Sequence, residues 1–125
     1  KDLFVRLFRA MAKGTVFAHT NVKLGIELHW EVYPESKPKG KTGDEAMREA
    51  LNILNNRKDK WFPGPWDPDQ RLGAQSKEQW EAQVKFAGFE GKIADVTRYF
   101  TNEIIDEVNR FDRAKIVKMA KDMKA

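Results

Sequence analysis

Three prolines stand within six residues at the middle of the chain, in the run Trp61-Phe62-Pro63-Gly64-Pro65-Trp66-Asp67-Pro68. Each proline fixes φ and removes a backbone donor, so neither a helix nor a central strand passes through this segment. Residues 61–75 therefore read as a stiff loop between two arms. A second break lies at residues 34–43, with two prolines, two glycines and Lys37, Lys39 and Lys41. That composition reads as an exposed loop.

The arms carry helical periodicity. Leu3, Phe4, Leu7, Phe8 and Met11 recur at helical spacing over residues 2–19, with Arg6, Arg9 and Lys13 on the other side. Thr20 and Asn21 are good N-cap residues for a second helix, with Val22, Ile26, His29 and Tyr33 on one stripe and Pro34 at its end. Thr42, Asp44 and Glu45 open a third, because acids favour the positive end of the helix dipole. Its stripe is Met47, Ala50, Leu51 and Leu54. Ser76 and Gln79 match a capping box for a fourth helix, which carries Trp80, Val84 and Ala87 and stops near Gly88 or Gly91. Residues 92–100 fit either a short helix or an extended segment. Thr101 is placed as the cap of a fifth helix, with Ile104, Ile105, Val108 and Phe111 inward. Asp112 caps a sixth, with Ile116, Met119 or Ala120, and Met123 inward. No strand–helix alternation and no internal repeat is visible. The expectation is an all-α fold of about six helices with two Pro/Gly-rich loops.

The 125 residues match one domain, 1–125. Hydrophobic residues make up 41% and 14 residues are aromatic, so a core can form and a disordered chain is excluded. No apolar run approaches the roughly 18 residues of a membrane span. Cysteine is absent, which removes disulfides, thiolate metal sites and a catalytic thiol. Lys and Arg number 23 against 19 acids, for a net charge of +4. The signs alternate along the chain, whereas a nucleic-acid binder gathers its excess on one face. No nucleic-acid partner is expected.

Each candidate constellation has a plain structural alternative. Gly40-Lys41-Thr42 resembles the end of a phosphate-binding loop, but Glu35 stands where the first glycine belongs, and the segment reads as a solvated loop. His19 and His29 have no partner at metal-site spacing. His29 is expected to be a packed, hydrogen-bonded structural histidine. Asp67 and Asp69 begin a calcium-like pattern that Arg71 and Leu72 break. Glu103, Asp106 and Glu107 are the acids expected in a first helical turn. Lys115, Lys118, Lys121 and Lys124 read as a solvated face, interrupted by Asp122. No metal, no cofactor and no catalytic residue is assigned.

Trp61, Phe62 and Trp66 are the weak candidates for ligand contact. Rigid aromatics either tuck a long loop against the core or wall a cleft and anchor a partner. On the second use, the chain is a self-contained helical interaction module built around the Trp61–Trp66 loop.

Three stretches carry a resemblance. They are Arg9-Ala-Met-Ala-Lys-Gly-Thr-Val-Phe-Ala-His-Thr-Asn21, His29-Trp-Glu-Val-Tyr-Pro-Glu-Ser-Lys-Pro38 and, most telling, Tyr99-Phe-Thr-Asn-Glu-Ile-Ile-Asp-Glu-Val-Asn-Arg-Phe-Asp112. Together they resemble the C-terminal region of solute-binding proteins of bacterial ABC importers, of the thiamine-precursor, nitrate, sulfonate and taurine type. The resemblance implies a periplasmic, two-lobed α/β parent that binds a small polar or heteroaromatic solute between its lobes and meets a membrane permease. It implies no enzyme activity, no cofactor and no direct membrane insertion. It covers nearly all of this chain and well under half of a typical family member, and it assigns no ligand-contact residue here. Lys1 as first residue, with no leader visible, suits a piece of a longer protein. Helices that cover an absent sheet expose apolar stripes such as Leu3, Phe4, Leu7, Phe8 and Met11, so the piece is expected to self-associate.

Overall fold

The computed structural model describes residues 1–58, 67 and 70–123. Among the described residues the structure is all-helical, without strands. It has five α-helices of ten residues or more and a shorter sixth: α1 (Asp2–Thr20), α2 (Val22–Val32), α3 (Gly43–Lys58), α4 (Lys77–Phe86), the single turn α5 (Ile105–Val108) and α6 (Arg113–Asp122). Two 3-10 turns, Pro34–Ser36 and Val96–Tyr99, complete the regular structure. Most of the expected loop at 61–75, with Trp61, Phe62 and Trp66, lies outside the described residues.

The described residues form two compact units. One comprises Lys1–Ala12 and Arg71–Arg110, and the other is drawn from Lys13–Gln70 and Phe111–Ala125.

In the first unit, Val5 and Ala12 of α1 are buried together with Leu72, Val96, Ile105 and Val108. Ser76 caps α4 by accepting from the Gln79 N–H at 3.1 Å. The helix ends in a Schellman turn. Phe89 N–H donates to Val84 O at 2.9 Å, and Gly88 takes φ +71°, a left-handed value that a glycine adopts without a Cβ clash. Residues 92–100 resolve into the 3-10 turn after Asp95, whose carboxylate accepts from the Thr97 N–H and hydroxyl at 2.9 and 2.7 Å. Trp80 stacks on Phe100 with centroids 6.0 Å apart and planes within 8°.

The expected fifth helix is much shorter than its periodicity suggests. Thr101 caps only a turn, accepting from the Glu103 N–H at 3.2 Å, and helix begins at Ile105. Two asparagines explain the shortening, because each spends its amide on a neighbouring segment. Asn102 accepts from the Gln75 N–H at 3.0 Å and donates to Gln75 O at 2.8 Å. Asn109 accepts from the Leu72 N–H at 2.9 Å and donates to Leu72 O at 3.0 Å and Ile105 O at 2.8 Å. Each side chain thus pairs with one residue's backbone as a strand would. Between them, Gly73 holds φ +82°. Asn109→Ala removes the side-chain partner of the Leu72 N–H and C=O in a half-buried place, while Ile105 O keeps the Asn109 backbone N–H at 3.0 Å. It should cost about 2–3 kcal/mol, read as a lower urea midpoint with unchanged slope.

The acids of this region are engaged by cations. Glu107 pairs with Lys1 at 2.9 Å and Asp106 with Arg71 at 2.7 Å. The guanidinium of Arg9 donates through Nε and Nη2 to the Glu107 carbonyl, at 3.2 and 2.6 Å, beside the Arg110 N–H that the same oxygen accepts at 3.3 Å at the end of α5.

In the second unit the buried side chains are Val16, Leu24, Ile26, Ala46 and Ala120. Asn21 joins three helices' worth of chain ends in one side chain. Its Oδ1 accepts from the Leu24 N–H at 3.1 Å as the N-cap of α2, and its Nδ2 donates to Ala120 O at 2.9 Å. Thr42 and Glu45 form a reciprocal capping box at α3. Asp112 caps α6 by accepting from the Lys115 N–H at 2.9 Å. Some expected core positions are corrected. Tyr33 follows α2 as its C-cap and is 52% exposed, because Pro34 has already ended the helix. Met119 and Met123 are exposed and Ala120 is buried, so a methyl-sized side chain marks the inward face of α6.

Four carboxylates sit below their ordinary range. Glu45 is held down first by the Thr42 backbone N–H, Glu78 by its own N–H, Asp95 by the Thr97 hydroxyl and Glu107 by the Lys1 ammonium. A depressed folded-state pKa gives stability that is present above the unfolded value of about 4 and lost as pH falls through the folded value. Lys1 is raised by the same pair, so its share is lost only as pH rises through that raised value. A urea-midpoint series should be flat near neutrality and decline below about pH 4. All these groups are exposed, so the slope should be shallow and flatten in high salt.

Candidate functional site

α2 and α3 pack together and leave a cleft of about 390 Å³ within the second unit. This falls in the 300–1,000 Å³ range, roughly, of small-molecule sites. Ala18 and His19 close it at the end of α1. The α2 wall presents Val22, Gly25, Ile26, His29 and Trp30. The α3 wall presents Glu49, Ala50, Ile53 and Leu54, and the loop adds Ser36 and Pro38 at the rim.

Local sequence prepares each wall of the cleft. Spacings of three and four on α2 and α3 bring these side chains to facing stripes. Pro34 ends α2, and the next turn is held by Ser36, whose hydroxyl donates to Tyr33 O at 2.7 Å. Small residues (Ala18, Gly25 and Ala50) leave the space. Gly25 is not required by the backbone or by helix packing. An added Cβ would meet Ala18 at 3.5 Å, an ordinary contact, and its φ is not positive. A glycine in the body of a helix costs about 0.5–1 kcal/mol relative to alanine. Gly25→Ala should therefore raise the unfolding free energy by about that amount, read in a urea melt.

The polar groups are few. Glu49 is tied to Lys41 of the loop through Oε2. Lys37 places its ammonium 5.4 Å from the Trp30 ring centroid, a cation–π contact. His29 corrects the expectation of a packed, hydrogen-bonded core histidine. It is exposed beside the cleft, with its ring tilted against Tyr33 at 5.2 Å. The stripe ends in water because α2 stops a turn after it. His19 is half-buried at the far end. Nothing in the periodicity of α2 or α3 singled out Trp30, Glu49 or Gly25. Their convergence depends on the α2–α3 packing.

Other expected features separate. Trp61, Phe62 and Trp66 lie outside the described residues, and with them the expectation of an interaction loop. Lys118 pairs with Asp122 on the solvated face of α6. A smaller cleft of about 260 Å³ lies between α4 and the Val96–Tyr99 turn. Among its charges, Lys77 pairs with Glu81 and Asp95 with Thr97. Among the described residues no group of three or more His, Cys, Asp or Glu is placed to hold a metal ion, and no helix is long and apolar enough to cross a membrane.

α1 carries a second distinctive surface. Val5, Ala12 and Val16 form its buried face, with Arg9 half-buried among them. Leu3, Phe4, Leu7, Phe8 and Met11 stand on the other side, between 41% and 68% exposed. At about 100° per residue the centres of the two faces lie roughly 130° apart. Phe4 and Phe8 stack one turn apart, with centroids at 6.3 Å. Over residues 3–16 the buried apolar residues are two valines and an alanine, while the leucines, phenylalanines and methionine point out.

No protein-family profile matches this chain, and neither a curated protein nor a solved structure matches it.

Proposed function

We propose that this chain is the helical C-terminal part of a two-lobed periplasmic solute-binding protein, which delivers a small polar or heteroaromatic solute to the membrane permease of an ABC importer. The outward stripe of α1 carries this reading. Large contiguous apolar patches rarely persist on soluble monomers. A helix that buries valine and alanine and turns Leu3, Phe4, Leu7, Phe8 and Met11 outward has a second layer to meet. In the parent that layer is the sheet-bearing lobe, and the three resembling stretches supply the family. The role is binding followed by hinge closure of the lobes, with no chemical step and no cofactor. Without that layer the isolated chain associates with itself.

The test is the product of the full gene. A mature protein of about 300 residues, two domains' worth, should end in this sequence. Its backbone amides over residues 3–11 should exchange more slowly than in the isolated chain. Ligand screening of that longer protein should find a solute whose affinity depends on both lobes. A native product of 125 residues with the stripe unprotected would sink the reading.

A further inference from the structure

We propose that the α2–α3 cleft is a ligand site in its own right, complete within one unit, and that it takes a flat N-heteroaromatic molecule of one or two rings, neutral or cationic. This goes beyond the role above, because the solute of a two-lobed protein sits between lobes and this cleft requires only α1, α2, α3 and the loop after Pro34.

Five observations support this site and its ligand class. The volume of about 390 Å³ suits a molecule of that size. The walls are aliphatic at Ile26, Ile53 and Leu54, so most of the ligand must be apolar. Trp30 and His29 present rings at one side, and such faces favour a flat partner in offset or edge-on contact. The Trp30 ring already draws a cation, Lys37, onto its face. Apart from the two histidines, the lone ionisable side chain in the lining is Glu49, and Lys41 engages its Oε2. An acceptor at an apolar wall selects an N–H donor, and an anion of the same shape finds no Lys or Arg in the lining, the nearby Lys41 being already paired with the Glu49 carboxylate. Finally, Gly25 costs helix stability without a packing reason, and the room it leaves lies along the cleft wall beside Ala18.

The experiment uses this chain, isotopically labelled, titrated with benzimidazole and separately with benzoate while amide and indole resonances are followed. Benzimidazole should shift residues 25, 26, 50 and 53 and the Trp30 indole in a saturable manner, and benzoate should bind at least about tenfold more weakly. Ala50→Leu fills the cleft with a side chain suited to a helix, and should weaken benzimidazole by about tenfold or more. Glu49→Gln, at a partly exposed position, should narrow the preference for benzimidazole over benzoate. Circular dichroism checks that both variants keep their helices, and Gly25→Ala offers a milder filling if Ala50→Leu does not. The proposal is overturned by no saturable shift up to the solubility limit, by shifts centred elsewhere, by equal affinity for benzoate, or by a folded Ala50→Leu or Gly25→Ala variant that binds as the parent does. None of these outcomes depends on whether a longer parent exists, so this site and the importer reading fail separately.

Discussion

Val16→Asp should abolish cooperative folding of the unit that contains it. Val16 has no exposed surface, and it is the one large side chain so enclosed among the described residues. A carboxylate there would lose its water, and among the described residues no polar or charged residue is buried to receive it. An unpaired polar group in such a place costs several kcal/mol, and a charge more, until the group protonates instead. Single-domain stabilities are about 5–15 kcal/mol in total, so a loss above about 4 kcal/mol is decisive. Val16→Ala removes only volume and should cost about 1–3 kcal/mol. Urea melts followed by circular dichroism would check both. An Asp variant that still unfolds cooperatively near the parental midpoint would mean that α1 does not bury this face.

The second large effect is on association. Five side chains near half exposure on α1 present on the order of 500 Å² of apolar surface, at the upper end of the largest patch found on monomers. Two such patches facing each other total about 1,000 Å², the threshold for a specific interface. The isolated chain should therefore scatter light as a dimer or larger at tens of micromolar. The double substitution Phe4→Glu and Leu7→Glu should return it to a monomer, because it places two like charges per chain in the apolar seam. The same change should move stability by no more than about 0.5 kcal/mol, as for other surface sites, since both side chains already face outward. Val5→Glu is the contrasting variant. It is two residues or fewer from either site yet buried, and it should destabilise by several kcal/mol. A parental chain that is monomeric at those concentrations would count against self-association. A double variant that unfolds would show that the stripe packs inside.

The elements were legible where local chemistry sets them. Asn21, Ser76 and Asp112 cap helices as their residue types predict, because a short side-chain acceptor reaches an orphan N–H only at the first turn. Pro34 and Gly88 end helices for equally local reasons. The all-helical character follows from the apolar spacing of the two arms. Thr101 shows the limit of such reasoning. Its residue type is right for a cap, and the following apolar spacing is helical. Asn102 and Asn109 nevertheless clamp Gln75 and Leu72, and a backbone held from outside does not complete the longer helix.

Which face of each helix is inside was a different matter. On α1 the strongest apolar stripe faces outward, while Val5, Ala12 and Val16 are buried. On α6 it is Ala120, not Met119, that is enclosed. Hydropathy ranks side chains by their cost in water. Burial also depends on the space between helices, and close packing admits small residues where large ones do not fit. The candidate cleft has the same origin. Gly25, Trp30 and Glu49 have no common motif, and they share a wall only because α2 and α3 pack side by side. Most helix ends were set locally, since caps, prolines and glycines act within a turn of chain; the bounds of α5 were not. Tertiary structure alone decided which faces are buried and where a cavity is left, because both depend on the shapes of residues far apart in the chain.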